Sequence, residues 1–155
     1  MTSQKPISLL FVCHGNICRS TMAEFVMKDL VAKRGLADRF HIESAATSAE
    51  ELGNPVHPGT RRILEGLGID CSAKRARRLR KADYDEFDLI IAMDSQNMRN
   101  MDRMLGDDPD HKLHKLLEYA GSDGDIADPW YTGDFETTYD DVNAGCHGLL
   151  AFLDY

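Results

Sequence analysis

Cys13 closes the apolar run Leu9-Leu10-Phe11-Val12, and Arg19 follows it after His14-Gly15-Asn16-Ile17-Cys18, with Ser20 next. A thiol attacks as its thiolate, a form favoured beside arginine and at helix N-termini, where backbone N–H groups lack partners. The same donors suit the oxygens of a phosphoryl group, and a guanidinium can grip two of them at once. Gly15 permits close backbone approach, Asn16 tolerates a left-handed turn, and Ser20 can hydrogen-bond a thiolate. Cleaving a phosphate ester also requires an acid for the leaving oxygen. Asp128-Pro129-Trp130-Tyr131 offers the best carboxylate, with two aromatics able to wall a pocket for an aryl group. Taken alone, Asp-Pro is only a turn signal, and Asp123, Asp125 and Asp134 remain rivals.

A cysteine and an arginine at this spacing form a weak pattern by themselves, so the surrounding elements must decide. Ile7 to Val12 reads as a buried strand, and Arg19 to Arg34 as a helix that Gly35 stops. Phe40 to Ala45 and Asp88 to Met93 read as further strands. Thr60 to Leu67 has helical spacing and ends at Gly68, while Asp94 or Ser95 caps a helix carrying Met98, Met101 and Met104, read as core. Lys112 to Leu117 is ambiguous between strand and short helix. A last helix runs from Phe135 to Leu153. Strands alternating with helices imply right-handed βαβ units around a parallel sheet, with ligands at the carboxyl ends of the strands. Cys13 lies at one such end and Asp94 just past another. The Gly121 to Gly133 loop is expected to close over the same rim.

The 155 residues fit one domain, with its core from about 7 to 153. Ile7 to Val12 is too short for a signal sequence or membrane span, so the expected location is the cytoplasm, with Cys13, Cys18, Cys71 and Cys146 as reduced thiols. A net charge of −8 argues against nucleic acid as a partner. The basic run from Lys74 to Lys81 could steer an anionic substrate, but the favoured reading is a solvated face. No set of His or Cys ligands suggests a metal: His111 and His114 read as surface residues, and Cys13 and Cys18 lack companions for zinc. Those two cysteines could instead form a reversible disulfide that masks the nucleophile.

Val12 to Ser20, Ala92-Met93-Asp94 and Asp128 to Tyr131 together resemble the low-molecular-weight protein tyrosine phosphatases, with the motifs in family order over nearly the whole chain. The resemblance implies an α/β domain with a four-stranded parallel sheet and helices on both faces, doubly wound in flavodoxin-like order. It implies hydrolysis of phosphotyrosine in protein substrates without cofactor or metal. Cys13 would be the nucleophile, Arg19 the phosphate-binding residue, and Asp128 the acid and then the base. His14, Gly15, Asn16, Ile17, Cys18 and Ser20 would line or brace the phosphate loop together with Ser44. Trp130 and Tyr131 would wall the pocket, and Cys18 would partner Cys13 under oxidation. A weak homodimer is compatible with this picture.

The chain departs from the family at Thr21, where proline is common, at Ala46, where glycine is common, and at Lys74, near a usual histidine. Ala49-Glu50-Glu51-Leu52 lacks the aromatic that many relatives place on the opposite wall, leaving that wall acidic and thin. Three other readings compete. Arginine phosphatases share the fold but resemble a version with threonine where Ile17 stands. Arsenate reductases need two further cysteines in a short relay, whereas Cys71 and Cys146 lie far apart. A cysteine phosphocarrier, which is not an enzyme, needs neither Arg19 nor Asp128.

Overall fold

The computed structural model describes residues 5–155. Its centre is β1 (Ile7–Cys13), flanked by β2 (Phe40–Ala46) and β3 (Leu89–Ala92), with β4 (Leu113–Lys115) at the far edge. All pairings are parallel, and the strand order is β2-β1-β3-β4. Alternate residues of β1 serve two cores. Leu9 and Phe11 pack with residues of α1 (Arg19–Lys33) and α6 (Phe135–Phe152). Leu10 and Val12 pack with Met101 and Leu105 of α4 (Ser95–Leu105), and with Tyr84 and Phe87 at α3 (Asp83–Glu86). A parallel strand covered on both faces must be apolar on both, which explains the unbroken run from Leu9 to Val12. Each such buried side chain contributes about 1.5–3 kcal/mol.

The elements match the sequence expectations with few shifts. The helix after Cys18 ends at Lys33, and Gly35 takes φ +71° so that Leu36 N–H can return to the Val31 carbonyl at 2.8 Å. α2 (Pro58–Gly66) starts before Thr60, because Pro58 is preset for a first helical position and His57 Nδ1 accepts from Gly59 N–H. The Lys112 to Leu117 ambiguity resolves into β4 followed by a 3-10 turn over Leu116–Ala120. That turn lies against α6 at Gly148, where a Cβ would come within 1.9 Å of the Tyr119 carbonyl oxygen.

The basic run keeps its expected solvated face at Arg75, Arg78, Arg80 and Lys81, all exposed, and departs from it at Lys74 and Arg77. It is an irregular strap that bridges to Ala46 at Arg78 and to Pro55 at Arg75, and Lys74 and Arg77 are largely buried in ion pairs. His111 is exposed, while His114 is half-buried against Glu118. Among the described residues no helix is long and apolar enough to cross a membrane.

The strand order reverses direction at β1, with β2 on one side and β3 on the other. Such a switch point opens a crevice at the carboxyl ends of its strands. Cys13 ends β1 there, and Asp94 follows β3.

Candidate active site

Between β1 and α1 the chain makes a tight loop with Asn16 at φ +60°, a left-handed conformation that asparagine adopts more readily than most residues. Its side chain holds that turn from within. Asn16 Nδ2 donates to Ser20 Oγ and to Ser44 Oγ, both at 2.8 Å, while its Oδ1 accepts from Arg77 N–H at 3.1 Å. Ser44 Oγ in turn donates to Glu24 Oε1 at 2.5 Å, and Lys74 Nζ reaches both the Ser44 carbonyl (2.9 Å) and Glu24 (3.3 Å). Burial pulls the Lys74 ammonium below the usual lysine range, with Glu24 opposing that shift. Ser20 Oγ lies 3.1 Å from Cys13 Sγ. Because Asn16 already donates to that oxygen, the Ser20 proton is free to go to a thiolate.

α1 begins without a side-chain cap and with no acidic residue in its first turn, so its leading N–H groups keep their attraction for an anion. One of them, on Ser20, points to Cys13 Sγ at 3.5 Å. The first buried turn also carries Arg19, whose side chain is 3% exposed. Burial works against its charge, but Cys13 and Asp94 hold the guanidinium firmly protonated. Nη1 donates to Asp94 Oδ2 at 2.6 Å and to the Ile126 carbonyl at 2.9 Å. The other Asp94 oxygen accepts from Asn97 N–H at 2.7 Å, so one carboxylate both starts α4 and aims the arginine. Arg19 Nε is buried with no hydrogen-bond partner. An unpaired buried N–H costs about 1–3 kcal/mol. With Nη1 occupied, the Nε and Nη2 edge is the one a bidentate oxyanion would fill.

Asp128 approaches from the opposite end of the sequence. Its Oδ2 lies 3.5 Å from Arg19 Nη2, and its Oδ1 accepts from Trp130 N–H at 3.1 Å, capping the single turn α5 (Pro129–Thr132). Cys13, Arg19 and Asp128 line one cavity, together with His14, Gly15, Ile17 and Cys18. Trp130, Tyr131, Glu50 and Glu51 complete its lining. A Cβ at Gly15 would stand 3.3 Å from Glu51 Cγ, so the close approach expected there is to the acidic wall. His14 Nε2 meets Glu50 Oε2 at 3.0 Å on the rim. Cys18 is buried beside Cys13; that burial and the neighbouring Cys13 push its thiol well up.

The rivals of Asp128 are engaged elsewhere. Asp125 accepts from Ser95 and Lys115; burial favours its neutral form, yet these partners hold it below the usual carboxylate range. Asp134 caps α6 through Thr137, and Asp123 lies outside the cavity lining. Sequence reasoning missed Glu24, which reads as an ordinary surface partner of Lys28 four residues on but is 3% exposed. It also missed Arg77, whose guanidinium is anchored on the fully buried Asp83. Among the described residues no three His, Cys, Asp or Glu side chains converge as a metal site would need.

Known proteins match this arrangement along the whole domain. The family model for low molecular weight phosphotyrosine protein phosphatase matches residues 8–155. The low molecular weight protein-tyrosine-phosphatase YfkJ of Bacillus subtilis is 44% identical over 149 residues, covering 95% of this chain and 96% of YfkJ. Its crystal structure superposes with a TM-score of 0.94 at 42% identity over 99% of this chain and 98% of that one. A low molecular weight protein tyrosine phosphatase from Streptococcus pyogenes gives a TM-score of 0.85 at 43% identity, covering 95% and 93%. A structure described as a Drosophila arginine phosphatase gives 0.84 at 31% identity, covering 95% and 98%. This chain belongs to the low molecular weight phosphotyrosine protein phosphatase family.

Proposed function

We propose that this protein hydrolyses phosphotyrosine in protein substrates through a phosphocysteine intermediate. Cys13 Sγ attacks phosphorus while Arg19 and the loop N–H groups hold the non-bridging oxygens. The phosphorus–oxygen bond to the tyrosine ring breaks, and Asp128 gives its proton to the departing phenolic oxygen. Asp128, now a carboxylate, takes a proton from water; that water attacks phosphorus, and the thiolate and phosphate are released. The carrying observation is the convergence of Cys13, Arg19 and Asp128 on one cavity, with the buried Arg19 Nε left without a partner. Trp130 and Tyr131 suit an aryl ester, and His14, Gly15, Asn16, Ile17 and Ser20 supply or brace the phosphate loop. All four cysteines are free, the state a reducing cytoplasm maintains. Cys18, next to Cys13 in the cavity, would cap an oxidised Cys13 as a disulfide.

Arginine phosphatase is the second reading, because the Drosophila protein so described shares the fold. Ile17, 8% exposed and lining the cavity, favours the aryl ester by filling space beside the phosphate. The test is side-by-side phosphate release from phosphotyrosine, phosphoserine and phosphoarginine peptides, with and without reductant. Phosphotyrosine is expected to lead by at least about a hundredfold, the range a shaped pocket supplies. Faster release from phosphoarginine would move the protein to the other branch.

A further inference from the structure

A second hollow shares His14 with the catalytic cavity. It is lined by His14, Thr47, Ser48, Arg78, Asn100 and Arg103. Its floor is tied to the phosphate loop, since Thr47 N–H donates to the Cys13 carbonyl at 2.9 Å and Ser48 Oγ to the His14 carbonyl at 2.9 Å.

Three residues of the basic strap are matched with carboxylates, Lys74 with Glu24, Arg77 with Glu43 and Asp83, and Arg80 with Asp83 and Glu86. Among the described residues no carboxylate pairs with Arg78 or Arg103, although the chain holds 26 acidic residues against 18 basic ones. Arg103 meets only the amide oxygen of Asn100, and both guanidinium groups are exposed. Thr47 is 6% exposed, and its buried hydroxyl has no partner. Two uncompensated guanidiniums around a concavity with a spare hydroxyl make a site for an oxyanion, which arginine binds bidentately.

We infer that this hollow is an anion subsite for the substrate, receiving a carboxylate or second phosphate carried a few residues from the phosphotyrosine. The inference rests on the phosphotyrosine reading of the Cys13 cavity. An acidic group there would meet Arg78 and Arg103, whereas one lodged at the catalytic cavity would meet Glu50 and Glu51, which repel it. The subsite therefore adds direction as well as affinity.

The test compares kcat/KM for p-nitrophenyl phosphate, a neutral phosphotyrosine peptide, and the same peptide with glutamate or phosphoserine placed at each flanking position in turn. For the wild type, the best acidic peptide should exceed the neutral one by about tenfold, and raised salt should erode that ratio. In the double variant Arg78→Ala/Arg103→Ala the ratio should fall to near one, with unchanged melting temperature showing an intact fold. A larger gain from phosphoserine than from glutamate would identify doubly phosphorylated segments as the favoured ligand, and the reverse an acidic segment; either supports the subsite. Equal turnover of acidic and neutral peptides by the wild type would overturn it, as would a preference that survives in the double variant. Failure of the wild type on p-nitrophenyl phosphate and on the neutral peptide would instead defeat the underlying phosphotyrosine reading.

Discussion

Across the cavity, the loop from Cys13 to Ser20 and the turn from Asp128 to Tyr131 face each other, and the protein holds them by opposite means. Asn16, Arg19 and Ser20 are at most 2% exposed, and both Asn16 amide hydrogens and its oxygen are engaged. Trp130 and Tyr131 are 57% and 83% exposed, and the Asp128 carboxylate is held by one backbone N–H and a 3.5 Å contact to Arg19. In the proposed reaction the loop presents fixed donors where charge develops, and fixed dipoles stabilise a transition state without reorganising. Asp128, as the proposed acid, only has to reach an oxygen whose position depends on the substrate, so an exposed turn with few bonds suffices. On that proposal, rigidity is concentrated where phosphate would bind, and freedom where the leaving group varies.

Breaking the rigid side should be the more costly. Cys13→Ser is expected to remove turnover by about 10⁴-fold or more, in the range seen when a nucleophile is deleted. Because Arg19 and the loop amides remain, phosphate should still protect the variant against thermal unfolding, as a melting curve with and without phosphate would read. Retained turnover would falsify the nucleophile assignment. Arg19→Lys follows, with an expected loss of about 10²–10³ in kcat/KM, the scale of one preorganised donor. Lysine keeps a charge near Asp94 but loses the Nε and Nη2 fork; near-normal kinetics would mean that charge alone suffices.

The exposed side should respond in a substrate-dependent way. Asp128→Asn should slow esters with poor leaving groups by about 10²–10⁴, the usual contribution of a general acid. Activated aryl phosphates, which leave without a proton, should lose much less. Equal losses on both would shift the acid role away from Asp128.

The contrast also explains what could be read from the chain. The convergence of Cys13, Arg19 and Asp128 on one cavity was foreshadowed by local signals, a strand end, a helix start and an Asp-Pro turn. The β1 run was legible because burial on both faces leaves no polar alternation. Glu24 and Arg77 were not, since one mimics a surface i,i+4 pair and the other sits in a basic stretch, and only tertiary packing buries them against Ser44 and Asp83. The same packing turns Lys74 and Arg77 inward from an otherwise solvated run, and the Arg77 backbone N–H braces Asn16.

That bracing sets the next effect in size. Asn16→Ala would leave the Arg77 N–H without an acceptor and the Ser20 and Ser44 oxygens without a donor, costing about 1–3 kcal/mol of stability. Denaturant unfolding would read the cost, alongside a loss of about tenfold in kcat with KM little changed, the mark of a positioning role. An unchanged unfolding midpoint would show that the network is not what holds the loop.

Trp130→Ala is the smallest perturbation and the sharpest probe of the contrast. The indole is 57% exposed and makes an edge contact with His57 at 5.6 Å between ring centroids. Its removal should change stability by no more than about 0.5 kcal/mol, as for most exposed positions. KM for phosphotyrosine peptides should rise a few-fold, because an aromatic contact is worth about 0.5–1.5 kcal/mol. The loss should shrink for a substrate without an aromatic ring, which has nothing to stack on the wall. A stability loss as large as that of Asn16→Ala would show that the acid-bearing turn is anchored as firmly as the loop it faces, and the division between a rigid and a compliant side would fail.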